Sequence, residues 1–408
     1  MLFFNVKSAA EARRLLERPV PRLPSETVPL SRAAGRILAA EVRSPIELPE
    51  FPRAVVDGYA VRAADTFGAS SSLPAYLKLA GEVAMGAAAE RPVARGEAIR
   101  IATGGMVPEQ ADAVVMVEYT ELVGELVEIS RAAAPGEGMV CAGDDLRRGD
   151  LLLPAGRLLR PQDIGACAGV GVVEVEVFRR PRVAVIPTGD EIVPPEEQPR
   201  PGEVRDINTS ALCAAVEQAG AVAVPYPIVR DERAELHAAV TDALSNTDCL
   251  LVAGGSSVGT RDWTLEVLLG LPGAELLLHG VSIRPGKPVI AVAAGSHLLL
   301  GLPGNPVSAL IVFDQFVRPY LRRLAGETRP LPSRGSIPAR LSRAYASDAG
   351  KEDYVRVRLV PENDGWAAEP LLGKSTLMMT LVQADGVVVV PENVEGLEAG
   401  ETVWVELL

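Results

Sequence analysis

The rhythm of apolar and polar positions changes several times along the chain. Ser8 to Glu17 carries apolar residues at helical spacing, with Ser8 as N-cap and Glu11 three residues later. That is a capping-box pattern and predicts a short helix. Arg32-Ala33-Ala34-Gly35-Arg36-Ile37-Leu38 predicts a second helical segment, and Pro45, Pro49 and Pro52 mark a connection. From about residue 55 to 145, short apolar runs such as Gly58-Tyr59-Ala60-Val61, Ile99-Arg100-Ile101-Ala102 and Ala113-Val114-Val115-Met116-Val117 are separated by glycine turns. This stretch predicts a β-rich domain. Pro161-Gln162-Asp163-Ile164 then opens a helix, and Gly171 to Val177 reads as a strand.

Between residues 180 and 325 the pattern alternates. Strand-like runs at Val183–Ile186, Leu250–Ala253 and Val289–Val292 are interleaved with helices, one running from Thr209 to Ala219 with Asn208 as its cap and Gly220 as its stop, another beginning after Pro306. Alternating strands and helices predict an α/β domain with a largely parallel sheet. Thr328, Pro330, Pro332 and Ser333 have linker composition. Beyond them, Tyr354–Leu359, Val387–Val390 and Thr402–Val405 predict a small β-barrel or sandwich. The expected plan is an N-terminal domain assembled from 1–44 and 146–178, a β-rich domain over 45–145, an α/β domain over 179–326 and a C-terminal barrel over 327–408.

Composition narrows the function. The formal net charge is −13 and no lysine-arginine block occurs, which argues against nucleic acid as a partner. No apolar run approaches the ~20 residues of a membrane span, and the N-terminus lacks a signal-peptide pattern, so a cytoplasmic protein is expected. Cys141, Cys167, Cys213 and Cys249 form no CxxC pair, and His237, His279 and His297 form no HExxH motif, which removes zinc hydrolysis and dithiol chemistry from consideration.

The candidate chemistry sits in loops at the carboxyl ends of the α/β strands, where open sheets collect ligands. Gly254-Gly255-Ser256-Ser257-Val258-Gly259 reads as a phosphate-facing backbone nest and lacks the GKS/T ending of a Walker loop. Pro303-Gly304-Asn305-Pro306 places Pro306 at the first helical position with bare N–H groups around it. Asp190, Glu191, Asp231 and Asp262 are oxygen donors suited to Mg2+, which takes one or two carboxylates together with phosphate oxygens. Arg284 and Lys287, on a stiff Pro285-Gly286 loop, are the charge partners for an oxyanion. In the β-rich domain, Asp57 beside Gly58 and Thr103 before Gly104 are further candidates.

Together these stretches resemble the molybdopterin molybdenumtransferase family, which includes the E domain of gephyrin. The resemblance rests on Asp57-Gly58-Tyr59-Ala60-Val61, Ile101-Ala102-Thr103-Gly104, Val114–Glu118, Thr188-Gly189-Asp190-Glu191, Val229-Arg230-Asp231, Gly254–Gly259, Arg284–Pro288 and Gly301–Ser308, in that order. It implies an elongated, multidomain α/β plus β subunit with a three-layer molybdopterin-binding domain, a β-rich lid and a C-terminal barrel. It also implies a homodimer whose cleft lies between the α/β domain of one subunit and the lid of the other. The implied reaction joins molybdate to adenylyl-molybdopterin, with Mg2+, and releases AMP. Asp57, Thr103, Glu191, Asp231 and Asp262 would be catalytic. Gly254, Gly255, Ser256, Ser257, Gly259, Arg284, Lys287, Pro303, Gly304, Asn305 and Pro306 would bind substrate, and an upstream adenylyltransferase is an implied partner. The chain departs from the family pattern at Ala54-Val55, at Val140–Gly143, at Arg284, where lysine is common, and at Gly373–Met379. The alternatives are a molybdopterin adenylyltransferase, a paralogue specific for tungstate and a non-catalytic scaffold.

Overall fold

Strand pairing sorts the described residues into three six-stranded sheets and several two-stranded ribbons. The computed structural model describes residues 6–18, 20–254, 263–328 and 335–408.

The first sheet runs in the order Ala113–Met116, Gly58–Val61, Glu97–Ile101, Ala75–Glu82, Leu126–Ile129, Thr120–Val123. It is antiparallel except where Ala75–Glu82 meets Glu97–Ile101. Tyr59, Val61, Val115 and Val127 fill one side, and Ala60, Ile99, Ile101 and Val114 the other. Gly58 is required by the pairing, because a Cβ there would lie 1.9 Å from the Val115 carbonyl oxygen.

The second sheet has the order Val222–Pro225, Arg182–Pro187, Cys249–Ala253, His297–Leu302, Ile290–Ala294, Ala274–His279. Its first four strands are parallel and the last two antiparallel. The inner strands are apolar throughout because both faces are covered. Helices Asn208–Gln218 and Pro306–Val312 pack on one face, and Arg233–Asn246 and Trp263–Leu269 on the other. Gly301 and Leu302, which read as loop, are the last residues of a core strand.

Three local expectations are corrected. Residues 32–38 form no α-helix: a single 3-10 turn at Leu30–Arg32 ends, and Gly35 takes φ +74°, which breaks helical continuation despite the alanine-rich sequence. The helix at 208 begins at Asn208 itself, and the cap is the Asp206 carboxylate, which accepts from the Thr209 N–H at 3.0 Å. Ser8 Oγ does accept from the Glu11 N–H at 3.1 Å, but the Glu11 carboxylate binds Lys7 Nζ at 2.6 Å, so half of the capping box is made. That helix, Ala9–Leu16, also lies apart from the N-terminal domain expected over 1–44: Ala9, Ala12 and Leu16 are buried in the α/β core beside Val281 and Phe316.

The third sheet closes on itself. Glu352–Glu362, Gly365–Pro370, Ser336–Leu341, Thr402–Leu407 and Gly386–Val390 return to Glu352–Glu362 as a five-stranded barrel around Val355, Val357, Val388, Val403 and Val405. Ile283–Arg284 of the α/β domain adds to it in parallel, opposite Glu352 and Asp353. Arg13 reinforces the joint by donating to Glu352 at 2.8 Å and to the Tyr354 hydroxyl oxygen at 2.7 Å.

In the N-terminal region, Ser25–Pro29 pairs with Glu174–Phe178, and Asp163 opens the helix Pro161–Gly169. Burial alone would raise the Asp163 pKa. Hydrogen bonds from Arg157 and Arg160 outweigh burial and hold it at about 2. The folded-state value lies below the unfolded one, so the stabilisation is present above pH ~4 and is lost as pH falls through ~2. Asp163→Asn is therefore expected to cost about 2 kcal/mol at neutral pH and roughly half that at pH ~3. Denaturant titrations at the two pH values check this, and an equal cost at both would contradict it.

Candidate functional site

Three parallel strands, Arg182–Pro187, Cys249–Ala253 and His297–Leu302, end on the same edge and deliver Thr188, Gly254 and Pro303 to one place. Gly254 has φ +119°, and a Cβ there would sit 2.1 Å from the Thr188 carbonyl oxygen. The backbone of Gly304 lies against Gly254, since a Cβ on Gly304 would come within 3.8 Å of the Gly254 Cα. Thr188 also bridges to Val229, which brings in the Arg230-Asp231 loop.

Hydrogen bonds fix the carboxylates there. The buried Thr188 hydroxyl donates to Asp231 Oδ1 at 3.0 Å, and the Asp231 N–H donates to Asp190 Oδ1 at 3.2 Å. Asn208 Nδ2 donates to the Gly304 carbonyl at 2.8 Å and ties the helix start to the Pro303–Pro306 loop. Beside these groups, with Asp190 and Asp231 outside its wall, lies a cavity of about 450 Å³, lined by Thr188, Glu191, Gly254, Pro303, Gly304, Asn305, Pro306 and Thr376, with the ribbon of Ile192–Val193 and Val204–Arg205 on its flank.

A second cavity of about 640 Å³ adjoins it and shares Asn305 and Thr376. Its cations are Arg284, Arg356 and Lys374. Arg284 is not the open oxyanion partner expected from the loop. Its guanidinium is bonded to the buried Asp353 carboxylate, to the Tyr345 hydroxyl oxygen at 3.1 Å and to Asp348 at 3.2 Å. The Asp353 bond, more than any other cause, raises its pKa. Arg356 is the less satisfied cation. It is 8% exposed, one terminal nitrogen donates to the Gly373 carbonyl at 2.9 Å, and its Nε is buried without a partner. Burial lowers its pKa.

The helix start after Asn305 is less bare than expected. The Val307 N–H donates to the Ser375 carbonyl at 3.3 Å, so the barrel loop occupies part of the helix terminus. Asn305 Nδ2 donates to Ser375 Oγ at 3.2 Å and joins the same loop to the first cavity.

The structure thus brings Glu191, Gly254, Pro303, Gly304, Asn305 and Pro306 into one cavity wall, sets Asp190 and Asp231 beside it through Thr188, and places Arg284 in the adjoining cavity. Lys287 is exposed and lines neither. Gly255, Ser256, Ser257, Gly259 and Asp262 lie outside the described residues. Asp57 and Thr103 form a pair of their own at the end of the first sheet. Asp57 Oδ1 accepts from the Thr103 N–H at 2.7 Å and the Thr103 hydroxyl at 2.8 Å, which holds the carboxyl below the usual range. Neither residue lines the two cavities. Among the described residues no three acidic, cysteine or histidine side chains gather at one point, and Asp262, the fourth carboxylate of the expected metal rim, lies outside those residues. What remains is the Asp190–Asp231 pair, each with one oxygen engaged in a hydrogen bond and the other turned to no described partner.

Sequence reasoning missed Arg356, Asn208, Thr188 and Thr376 as site residues. Thr188 stood inside a quoted motif, so its signal was at hand. Arg356 carried none, because alternation in Tyr354–Leu359 places Arg356 and Arg358 on one face while only Arg356 is buried.

Comparison with known proteins adds to this geometry. Residues 7–171 match the MoeA N-terminal region (domain I and II), residues 184–323 a probable molybdopterin binding domain, and residues 338–408 the MoeA C-terminal region (domain IV). The chain is 34% identical over 391 residues to a putative molybdopterin biosynthesis protein of Methanocaldococcus jannaschii, covering 93% of this chain and 92% of that one. It is 32% identical over 390 residues to the molybdopterin molybdenumtransferase of Bacillus subtilis, covering 94% and 90%. A crystal structure of the molybdopterin biosynthesis MoeA protein from Pyrococcus horikoshii superimposes with a TM-score of 0.79 at 37% identity, covering 99% of both chains.

Proposed function

The chain belongs to the MoeA family of molybdopterin molybdenumtransferases, and from that premise we propose how its two cavities share the reaction. The protein is a transferase that inserts molybdenum during molybdenum-cofactor biosynthesis. In our reading the substrates are adenylyl-molybdopterin and molybdate. Water adds across the phosphoanhydride as its P–O bond breaks and AMP leaves, and the two dithiolene thiols of the pterin pass their protons to one oxo ligand of molybdate, which departs as water as two Mo–S bonds form. The thiolates come from the substrate, so no protein cysteine is required.

The observation that carries this reading is the shared wall. Asn305 and Thr376 stand between a cavity walled by Thr188, Glu191, Gly254 and the Pro303–Pro306 loop and one that holds Arg284, Arg356 and Lys374. The first suits a phosphoanhydride approached by backbone and a divalent ion, and the second suits a tetrahedral oxyanion. Asp190 and Asp231, set just behind the cavity wall and tied to it through Thr188, are hard oxygen donors of the kind that would hold Mg2+. When bound there, Mg2+ neutralises charge on the phosphoanhydride. Thr188 holds the Asp231 carboxylate in place, and Arg356 meets the oxyanion.

Asp57 and Thr103 line neither cavity, which supports a homodimer in which the partner's lid delivers them. Among the described residues no helix is long and apolar enough to cross a membrane. A cytoplasmic enzyme receiving its substrate from an upstream adenylyltransferase fits that. Full-length likeness to a molybdenumtransferase favours insertion over adenylyl transfer.

The test mixes purified protein with adenylyl-molybdopterin, Mg2+ and molybdate and follows AMP by chromatography. Molybdate-dependent AMP release is expected. Pyrophosphate release from ATP and molybdopterin in its place would overturn the reading. A narrower outcome concerns Thr188→Val, which is expected to raise the Mg2+ concentration for half-maximal AMP release about tenfold. Magnesium titration of the two proteins checks it, and superimposable curves would remove Thr188 from the metal's support.

A further inference from the structure

The flank of the first cavity carries a feature that phosphate and metal do not use. Ile192 and Val204, on the two-stranded ribbon, and Ile207, just after it, line the cavity. Val204 is 54% exposed and Ile207 46% exposed, although both are large and β-branched. The polar neighbours are turned to other duties. Arg205 folds back on its own ribbon, donating to the Pro195 carbonyl at 2.9 Å and to Gln198 at 3.2 Å. The Asp206 carboxylate is occupied as the cap of the next helix. An apolar patch thus faces a cavity whose far reach is polar, with the Asn208–Gly304 hydrogen bond between the ribbon side and the Pro303–Pro306 loop.

Ligand cavities combine apolar walls that take a flat body with a few polar groups that fix its orientation. From the juxtaposition of this wall with Glu191, Gly254 and the Pro303–Pro306 loop in the same cavity, we infer that Ile192, Val204 and Ile207 form a clamp for a planar fused nitrogen heterocycle attached to the phosphoanhydride. These residues set affinity for the adenylated substrate and leave oxyanion capture to the adjoining cavity. The inference rests on the function proposed above and names the part of the substrate that the ribbon reads. Two ring systems in that substrate share this chemistry, the adenine and the pterin.

Val204→Asp and Ile207→Ser are the probes, with Val204→Ile as the conservative control. Both sites are exposed, so the fold tolerates the changes. Each polar variant is expected to raise KM for adenylyl-molybdopterin about tenfold, through loss of apolar contact with the ring, while KM for molybdate stays unchanged and Val204→Ile behaves as wild type. Calorimetric titration with AMP alone distinguishes the rings. Weakened AMP binding assigns the clamp to adenine, and unchanged AMP binding with raised substrate KM assigns it to the pterin. Unchanged KM and unchanged AMP affinity in a wild type that does turn over would overturn the clamp and leave the function intact. A wild type that releases no AMP would instead defeat the proposed function; weakened AMP binding in the polar variants would then still support a clamp for adenine, and unchanged AMP binding would overturn the clamp together with the function. A shift in oligomeric state on sedimentation with no change in binding would also overturn the clamp, by giving the patch to a second copy of the chain.

Discussion

Arg356→Met is expected to lower molybdate-dependent AMP release by about two to three orders of magnitude while leaving the melting temperature unchanged or slightly raised. The reason is the state of this guanidinium. It is buried, its Nε lacks a partner, and one carbonyl, that of Gly373, holds its terminal nitrogen. A buried cation so poorly compensated contributes little to folding, and a methionine of similar length fills its space without the desolvation cost. Its value lies in meeting a charge that arrives with the substrate. Arg284→Met, in the same cavity, is expected to behave in the opposite way. Asp353 is 3% exposed at its side chain and would lose its main cation, keeping hydrogen bonds from the hydroxyls of Tyr345 and Ser347, each at 3.0 Å, and the nearby charge of Arg356, which is not bonded to it. Stranding that carboxylate costs about 3–5 kcal/mol and loosens the barrel from the α/β domain. Thermal melting beside AMP release separates the two cases. If Arg284→Met retained full stability and Arg356→Met lost it, the roles given to these arginines would be reversed.

This contrast shows where the sequence was legible. Continuous apolar runs at Val183–Ile186 and Leu250–Ala253 announce strands covered on both faces, and the loops after them had to share an edge once the strands were parallel. Thr188 to Glu191, Asp231, Gly254 and Pro303–Pro306 therefore could be assigned to one rim from the chain alone. The fate of Arg284 could not, because its partner Asp353 lies 69 residues away in another domain, and local sequence does not record such a pairing. The same holds for Ser375, which reaches back across 70 residues to Asn305 and covers part of a helix terminus that looked open. Residues 32–38 misled for the converse reason. Their alanine-rich composition favours a helix, while the left-handed backbone of Gly35 and the bridge from Leu38 to Val177 commit the segment to other contacts.

Asp57→Ala is expected to abolish AMP release, a fall of about a thousandfold or more, with the fold intact. Asp57 is exposed, and its carboxylate accepts from the Thr103 backbone N–H and hydroxyl, which orient it and lower its pKa. An exposed carboxylate kept ionised by two convergent donors, away from the cavities of its own chain, is poised to act on something delivered from outside. If the partner subunit supplies that something, two inactive variants should repair each other. Co-expressed Asp57→Ala and Asp231→Ala chains, mixing at random, give heterodimers in half of the population. Each heterodimer holds one site with both carboxylates intact, so roughly a quarter of wild-type AMP release should return. Asp57→Ala with Asp57→Ala restores nothing in any arrangement. Should the mixed pair stay as inactive as its parents, although sedimentation shows dimers, the two carboxylates would have to serve one chain, and the lid of that chain would have to close over its own cavity.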